Sequence, residues 1–163
     1  MRIGFGYDVH RLVPGRKLIL GGVEIAHPQG LEGHSDADVL LHAICDGILG
    51  ALGDGDIGRH FPNTDPRYRG ISSLVLLQTV AARVVARNLQ VNNIDSTIIA
   101  EEPRIAPYVS QMAENIAGAL KISPGAVNIK ATTSERLGFV GEGRGLVAFA
   151  VVLLDSPGKS GPI

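Results

Sequence analysis

Nine consecutive apolar residues, Leu146 to Leu154 (LVAFAVVLL), constrain the fold of this chain more than any other segment. The run is about half the ~18 residues of a membrane-spanning helix. Its valines and phenylalanine favour an extended strand. A strand with no polar alternation is predicted to be buried on both faces.

Other segments supply elements to pack around it. Arg2 to Leu12 reads as a strand interrupted by Gly4 and Gly6. Lys17 to Ile25 reads as a hairpin around Gly21-Gly22, and Pro28-Gln29-Gly30 as a loop. Ser35 or Asp36 can cap a helix with Asp38 in its first turn, ending near Gly50. Residues 53–66 read as a long loop. Ser72 or Ser73 caps a second helix to about Asn88, and Pro107 opens a third. Gln90 to Ala100 and Val127 to Thr132 alternate as strands. The glycines at 138, 141, 143 and 145 predict a flexible loop. This order predicts one α/β (α+β) domain over residues 1–155, a mixed sheet packed on one face by about three helices. Residues 156–163 are expected to form a disordered tail.

Composition narrows the chemistry. Formal net charge is -1, aromatics are 4% and Trp is absent, so neither a basic surface nor stacking platforms for nucleic acid are expected. No run is long enough for a membrane helix, and Met1-Arg2-Ile3-Gly4 leads straight into strand-like sequence, so a cytoplasmic setting is expected. Cys45 is the single cysteine, which excludes an intrachain disulfide and a thiolate cluster. A metal would need histidine and carboxylate ligands.

Such ligands occur in a suggestive pattern. Asp8 and His10 are two apart on a strand and so share a face. Asp38, His42 and Asp46 recur at i, i+4 and i+8 on an otherwise largely apolar helix. If strand and helix face each other, Asp8, His10 and His42 give three ligands and an open fourth position, the catalytic arrangement of zinc. The same residues also fit ordinary polar surface positions, and Asp46 also fits pairing with an arginine. Asp54-Gly-Asp56-Ile57-Gly58 and Phe61-Pro62-Asn63-Thr64-Asp65 fit turns. Thr132-Thr133-Ser134-Glu135 follows a strand and fits either a phosphate and Mg²⁺ site or a capping box.

Taken together, these segments resemble the 2-C-methyl-D-erythritol 2,4-cyclodiphosphate synthases. The resemblance rests on Arg2 to His10, Gly33 to Asp38, Leu41-His42, Gly53 to Gly58, Phe61-Pro62 with Thr64-Asp65-Pro66, and Lys130 to Glu135 ending in Leu137-Gly138-Phe139. It implies a homotrimer with active sites between subunits and a small-molecule nucleotide-diphosphate substrate. Asp8, His10 and His42 would ligate Zn²⁺, and Glu135 would hold Mg²⁺ or Mn²⁺. His34, Ser35 and Thr133 would orient phosphate, with His34 and Thr133 as the catalytic candidates. Asp46 and Asp56, Ile57 and Gly58 would grip the erythritol hydroxyls. Ala100, Pro103, Arg104, Ile105 and Ala106, with Ala131 and Thr132, would recognise cytidine. Phe61, Asn63, Asp65, Ser134, Phe139 and Glu142 complete the expected substrate-contacting set. The implied reaction is attack of a 2-phosphate on the β-phosphorus with loss of CMP. A zinc phosphohydrolase that activates water is the competing reading.

Four positions depart from the family's bacterial pattern. Asn63 stands for Asp, Arg104 for Lys, and Glu142 and Arg144 exchange their expected places. In the family an arginine at position 142 lines a cavity on the trimer axis, so no isoprenoid effector site follows here.

Overall fold

Strand β1 (Arg2–Pro14) is the longest strand and forms the spine of the computed structural model, which describes residues 1–158. A hairpin follows, β2 (Leu18–Leu20) and β3 (Val23–Ile25), turned by Gly21 and Gly22, both at positive φ. Next come β4 (Gln29–Leu31), α1 (Val39–Leu52), the single turn α2 (Ile57–His60), and α3 (Ser73–Ala86). The chain continues through β5 (Gln90–Ile99), α4 (Val109–Leu120), β6 (Val127–Thr132), the short α5 (Gly138–Gly141) and β7 (Gly145–Asp155). Pro157 and Gly158 form a turn, and residues 159–163 of the expected tail lie outside the described residues.

The five-stranded sheet runs β4-β1-β7-β5-β6. All neighbours are antiparallel except β5 and β6, which α4 connects in parallel. The mixed sheet and single helical layer agree with the sequence reading. Helix α1 lies over β1 and β7, and α3 and α4 complete the layer.

Several local expectations change. Gly4 and Gly6 do not interrupt β1. A Cβ on Gly4 would lie 1.8 Å from the Gly47 carbonyl oxygen, and one on Gly6 would lie 1.8 Å from that of Ala43. These glycines let the helix backbone rest directly on the strand. Helix α1 starts later than expected, because Asp38 is itself the N-cap. Its carboxylate accepts from Leu41 N (3.1 Å) and from Gly22 N in the hairpin turn (2.7 Å). Burial pushes the Asp38 carboxyl up to about 6. Gly53, in the left-handed region, closes the helix. The expected loop around Gln29 pairs with Leu12–Pro14 as β4, and the expected glycine loop contains α5.

Strand β7 is not buried on both faces within one chain. Leu146, Ala148, Ala150, Val152 and Leu154 face the helices and are buried, but Val151 is 38% exposed on the other side. That outer face continues across β1 as Ile3, Phe5, Tyr7 and Val9, all exposed. Phe149 joins it, 6.0 Å from Phe5 and 5.2 Å from Tyr7 between ring centres. Among the described residues no second layer covers this face.

Helix α1 is buried almost all round. Its unburied positions are His42, Asp46 and Gly50, a single line at i, i+4 and i+8. Of the polar stripe expected from the sequence, His42 and Asp46 lie on this open line and His42 lines a cavity, whereas Asp38 is buried as the N-cap.

Gly6→Ala should lower stability by about 3 kcal/mol or more, because the clash is with backbone that can yield only by moving α1. Gly118→Ala, with nothing within 4 Å of the added carbon, should stabilise by up to about 1 kcal/mol. Urea titrations of both variants check this.

Candidate metal centre

The register of β1 points Asp8 and His10 to the helix side of the sheet, and the glycine contact brings α1 close enough for His42 to reach them. Three donor atoms converge. His10 Nε2 lies 2.9 Å and His42 Nδ1 3.0 Å from Asp8 Oδ2, and the two nitrogens are 3.1 Å apart. Among the described residues these three form the one group of histidine, cysteine and carboxylate side chains spaced to hold a metal ion.

Hydrogen bonds orient the ligand side chains. His10 Nδ1 donates to the Glu32 carbonyl at 2.6 Å, which leaves Nε2 as a lone pair facing Asp8 and His42. His42 Nε2 lies 3.0 Å from Ser73 Oγ and 3.1 Å from Ser35 Oγ. Burial works to raise the Asp8 carboxyl, but hydrogen bonds and charge from His10 and His42 outweigh it and hold it at about 2. Burial likewise works to lower His10, and the Asp8 carboxylate more than offsets it, so His10 is raised. Two imidazole nitrogens and a carboxylate oxygen this close need positive charge among them, from protons or from a cation.

The triad opens on a cavity of about 250 Å³ lined by His10, Gly33, His34, Ser35, His42, Ile57, Gly58, Phe61, Asn63, Tyr68 and Leu76. Eight of these were singled out in the sequence. His34 Nε2 donates to the Asp65 carbonyl at 3.0 Å, and the Asp65 side chain pairs with Arg67 at 2.6 Å. Asp46 accepts from Ile57 N at 2.9 Å, and Asp56 caps α2 through Arg59 N at 2.9 Å. Burial, with the Asp56 and Asp8 charges adding to it, raises the Asp46 carboxyl. The expectation that Asp46 pairs with an arginine is not met. The arginine clamp falls on Asp54, which Arg83 (2.5 Å) and Arg87 (2.9 Å) hold at the foot of the loop.

A second cavity, of about 510 Å³, collects Ala100 through Ala106 with Ala131, Thr132, Thr133 and His27. None of its lining residues lines the first. Glu135 belongs to the loop beside this second cavity, where Thr133 Oγ1 donates to Glu135 Oε1 at 3.1 Å. The capping-box alternative fails: Thr132 Oγ1 donates to the Thr133 carbonyl, and α5 begins at Gly138 without a side-chain cap. Phe139 lines a third cavity with Val9, His10 and Arg144, and Glu142 pairs with Arg144 at 2.7 Å.

Sequence reasoning did not single out Glu101, whose Oε1 accepts from Ser134 N (2.9 Å), Ser134 Oγ (3.0 Å) and Arg136 N (3.1 Å). This carboxylate holds the loop in which Glu135 and Arg136 both adopt positive φ. No spacing marks it, because its partners, two backbone N–H groups and the Ser134 hydroxyl, are more than thirty positions away.

Fold and site together define a small α+β protein with an open three-donor histidine–aspartate centre beside a polar cavity. Comparison with known proteins gives the family. The YgbB family profile matches residues 1–155, and the chain belongs to that family. The 2-C-methyl-D-erythritol 2,4-cyclodiphosphate synthase of Geotalea uraniireducens is 59% identical over 155 residues, covering 95% of this chain and 99% of that one. The bifunctional IspDF structure from Campylobacter jejuni superposes with a TM-score of 0.90 at 39% identity, covering 94% of this chain. The chain spans 42% of that longer protein. The Plasmodium falciparum IspF structure, a CDP complex, superposes with a TM-score of 0.84 at 35% identity, covering 95% of this chain and 96% of that one.

Zinc titration should load one ion per chain. At 100 times its dissociation constant the ion should stabilise the fold by about 2.7 kcal/mol, and His42→Ala should abolish that gain in thermal melts.

Proposed function

We propose that this chain converts 4-diphosphocytidyl-2-C-methyl-D-erythritol 2-phosphate to 2-C-methyl-D-erythritol 2,4-cyclodiphosphate with release of CMP, a lyase step of isoprenoid synthesis. The observation that carries this reading is the convergence of Asp8 Oδ2, His10 Nε2 and His42 Nδ1 within 3.1 Å, in a chain 59% identical to a synthase of that name.

The donor set suits Zn²⁺. Tetrahedral coordination at ordinary zinc–nitrogen and zinc–oxygen lengths puts ligand atoms about 3.3 Å apart, close to the separations here. Bound Zn²⁺, and Mg²⁺ or Mn²⁺ at Glu135, would supply the positive charge that phosphoryl transfer needs and the chain's own composition lacks.

The chain's residues do the positioning. His34 and Ser35 sit at the cavity wall, where the Ser35 hydroxyl can meet a phosphate oxygen and His34 is oriented by the bond from its Nε2 to the Asp65 carbonyl. Ile57 and Gly58 line the same cavity, and Asp46 and Asp56, each bonded to a backbone N–H of that turn, suit vicinal hydroxyls. Backbone and side-chain groups of residues 100–106, with Ala131, Thr132 and Thr133, form a pocket for cytidine; the CDP complex of the Plasmodium falciparum relative supports a nucleotide ligand. Holding the 2-phosphate in line with the β-phosphorus replaces a bimolecular encounter with an internal attack. No nucleophilic side chain is needed, because the nucleophile is the substrate's own phosphate oxygen.

The two cavities share no lining residue within one chain, which supports a substrate that bridges two chains. We assign that bridging to a homotrimer assembled through the apolar outer sheet face of Ile3, Phe5, Tyr7 and Val151. A cytoplasmic setting fits this assignment. Among the described residues no helix is long and apolar enough to cross a membrane.

With the cytidylyl substrate, Zn²⁺ and Mg²⁺, phosphorus NMR should show CMP and a cyclic diphosphate with no ¹⁸O from solvent water. Release of inorganic phosphate carrying solvent oxygen would overturn the proposal. Glu135→Gln should lose Mg²⁺-dependent turnover while still binding zinc. Phe5→Glu should yield a monomer by analytical ultracentrifugation, inactive yet still able to bind zinc.

A further inference from the structure

Ser73 is fully buried at the first residue of α3, with no place in the cavity lining. A buried hydroxyl must spend its one proton and its lone pairs on definite partners. Ser73 Oγ touches two: an Asp36 carboxylate oxygen, in a short contact, and His42 Nε2 at 3.0 Å. A carboxylate only accepts, so the hydroxyl proton goes to Asp36. The oxygen therefore meets His42 with a lone pair, and His42 Nε2 must carry the hydrogen. The other ring nitrogen, Nδ1, is then left unprotonated toward Asp8 and His10.

We propose that Asp36 and Ser73 are positioning residues that fix the tautomer and ring orientation of His42, and so set the metal affinity of the centre. The inference rests on the proposed reading of Asp8, His10 and His42 as metal ligands. Asp36 is itself held for this task. Ser73 N donates to its second oxygen at 2.9 Å, and its own N–H donates to the Ile71 carbonyl at 3.0 Å. The arrangement parallels the other histidine, whose Nδ1–H is fixed by the Glu32 carbonyl.

Ser35 has a different part. Its Oγ also lies 3.1 Å from His42 Nε2 and accepts from Ala37 N at 3.1 Å, but it contacts no carboxylate. It lines the cavity, so its proton is available to a bound anion. Ser73 holds the imidazole; Ser35 keeps its hydroxyl for ligand.

The test uses the full chain and two readouts. Zinc affinity, measured by competition with a chromophoric chelator, should fall about 10–100-fold in Ser73→Ala and in Asp36→Asn. It should change less than threefold in Ser35→Ala. In the metal-free wild type at neutral to mildly basic pH, ¹⁵N shifts should report the Nε2–H tautomer for His42, and Asp36→Asn should move it toward Nδ1–H. If Ser73→Ala does not fold, Asp36→Asn and the wild-type spectrum decide alone. Wild-type zinc affinity retained in Asp36→Asn, or a wild-type His42 in the Nδ1–H form, overturns the inference. Failure of the wild type to bind zinc overturns the metal-centre reading instead, while the tautomer still reports on the relay.

Discussion

The approach of α1 to β1, backbone against backbone, governs the rest of this molecule. Gly4, Gly6 and Gly47 remove the side chains that would hold an ordinary helix away from its sheet. Side chains at these positions would push α1 outward and carry the His42 imidazole away from Asp8. The glycines therefore determine whether three donors form a cluster or remain separate polar residues. The cost is borne by a helix buried on nearly every side, and its burial explains why polar residues survive only along the line through His42 and Asp46.

Asp38 keeps that packing in register. Its carboxylate joins the start of α1 to the Gly21-Gly22 turn of the hairpin, so the helix cannot slide along β1 without leaving a buried N–H unpaired. At the opposite end Asp54, clamped by Arg83 and Arg87, fixes the loop that carries Asp56. The cavity floor is thus rigid at both ends of one helix, and the groups facing it are oriented before any ligand arrives. Such preorganisation suits a reaction whose barrier is chiefly one of alignment and charge.

The centre's cavity and the second cavity share no lining residue. Glu101 shapes the loop of Glu135 from one side, and Glu32 orients His10 from another. The apolar face of β1 and β7 lies on the side of the sheet opposite α1. An assembly through that face would bury the aromatic ladder of Phe5, Tyr7 and Phe149 and complete a divided site in one step.

Much of this was legible in the sequence. Strand and helix periodicity gave the element order, and the two-residue spacing of Asp8 and His10 fixed their common face, because local geometry depends on neighbours in the chain. The bounds of α1, the strand role of Gly4 and Gly6, and β4 were not legible, since each depends on a partner far along the chain. The same holds for Ser73 with Asp36, and for Glu101 with the Ser134 and Arg136 amides. A sequence determines which side chains can ligate, cap or pack. Only the tertiary structure decided which of them meet, because that depends on how closely α1 and β1 approach, a distance set by glycines whose function is visible only against the helix they admit.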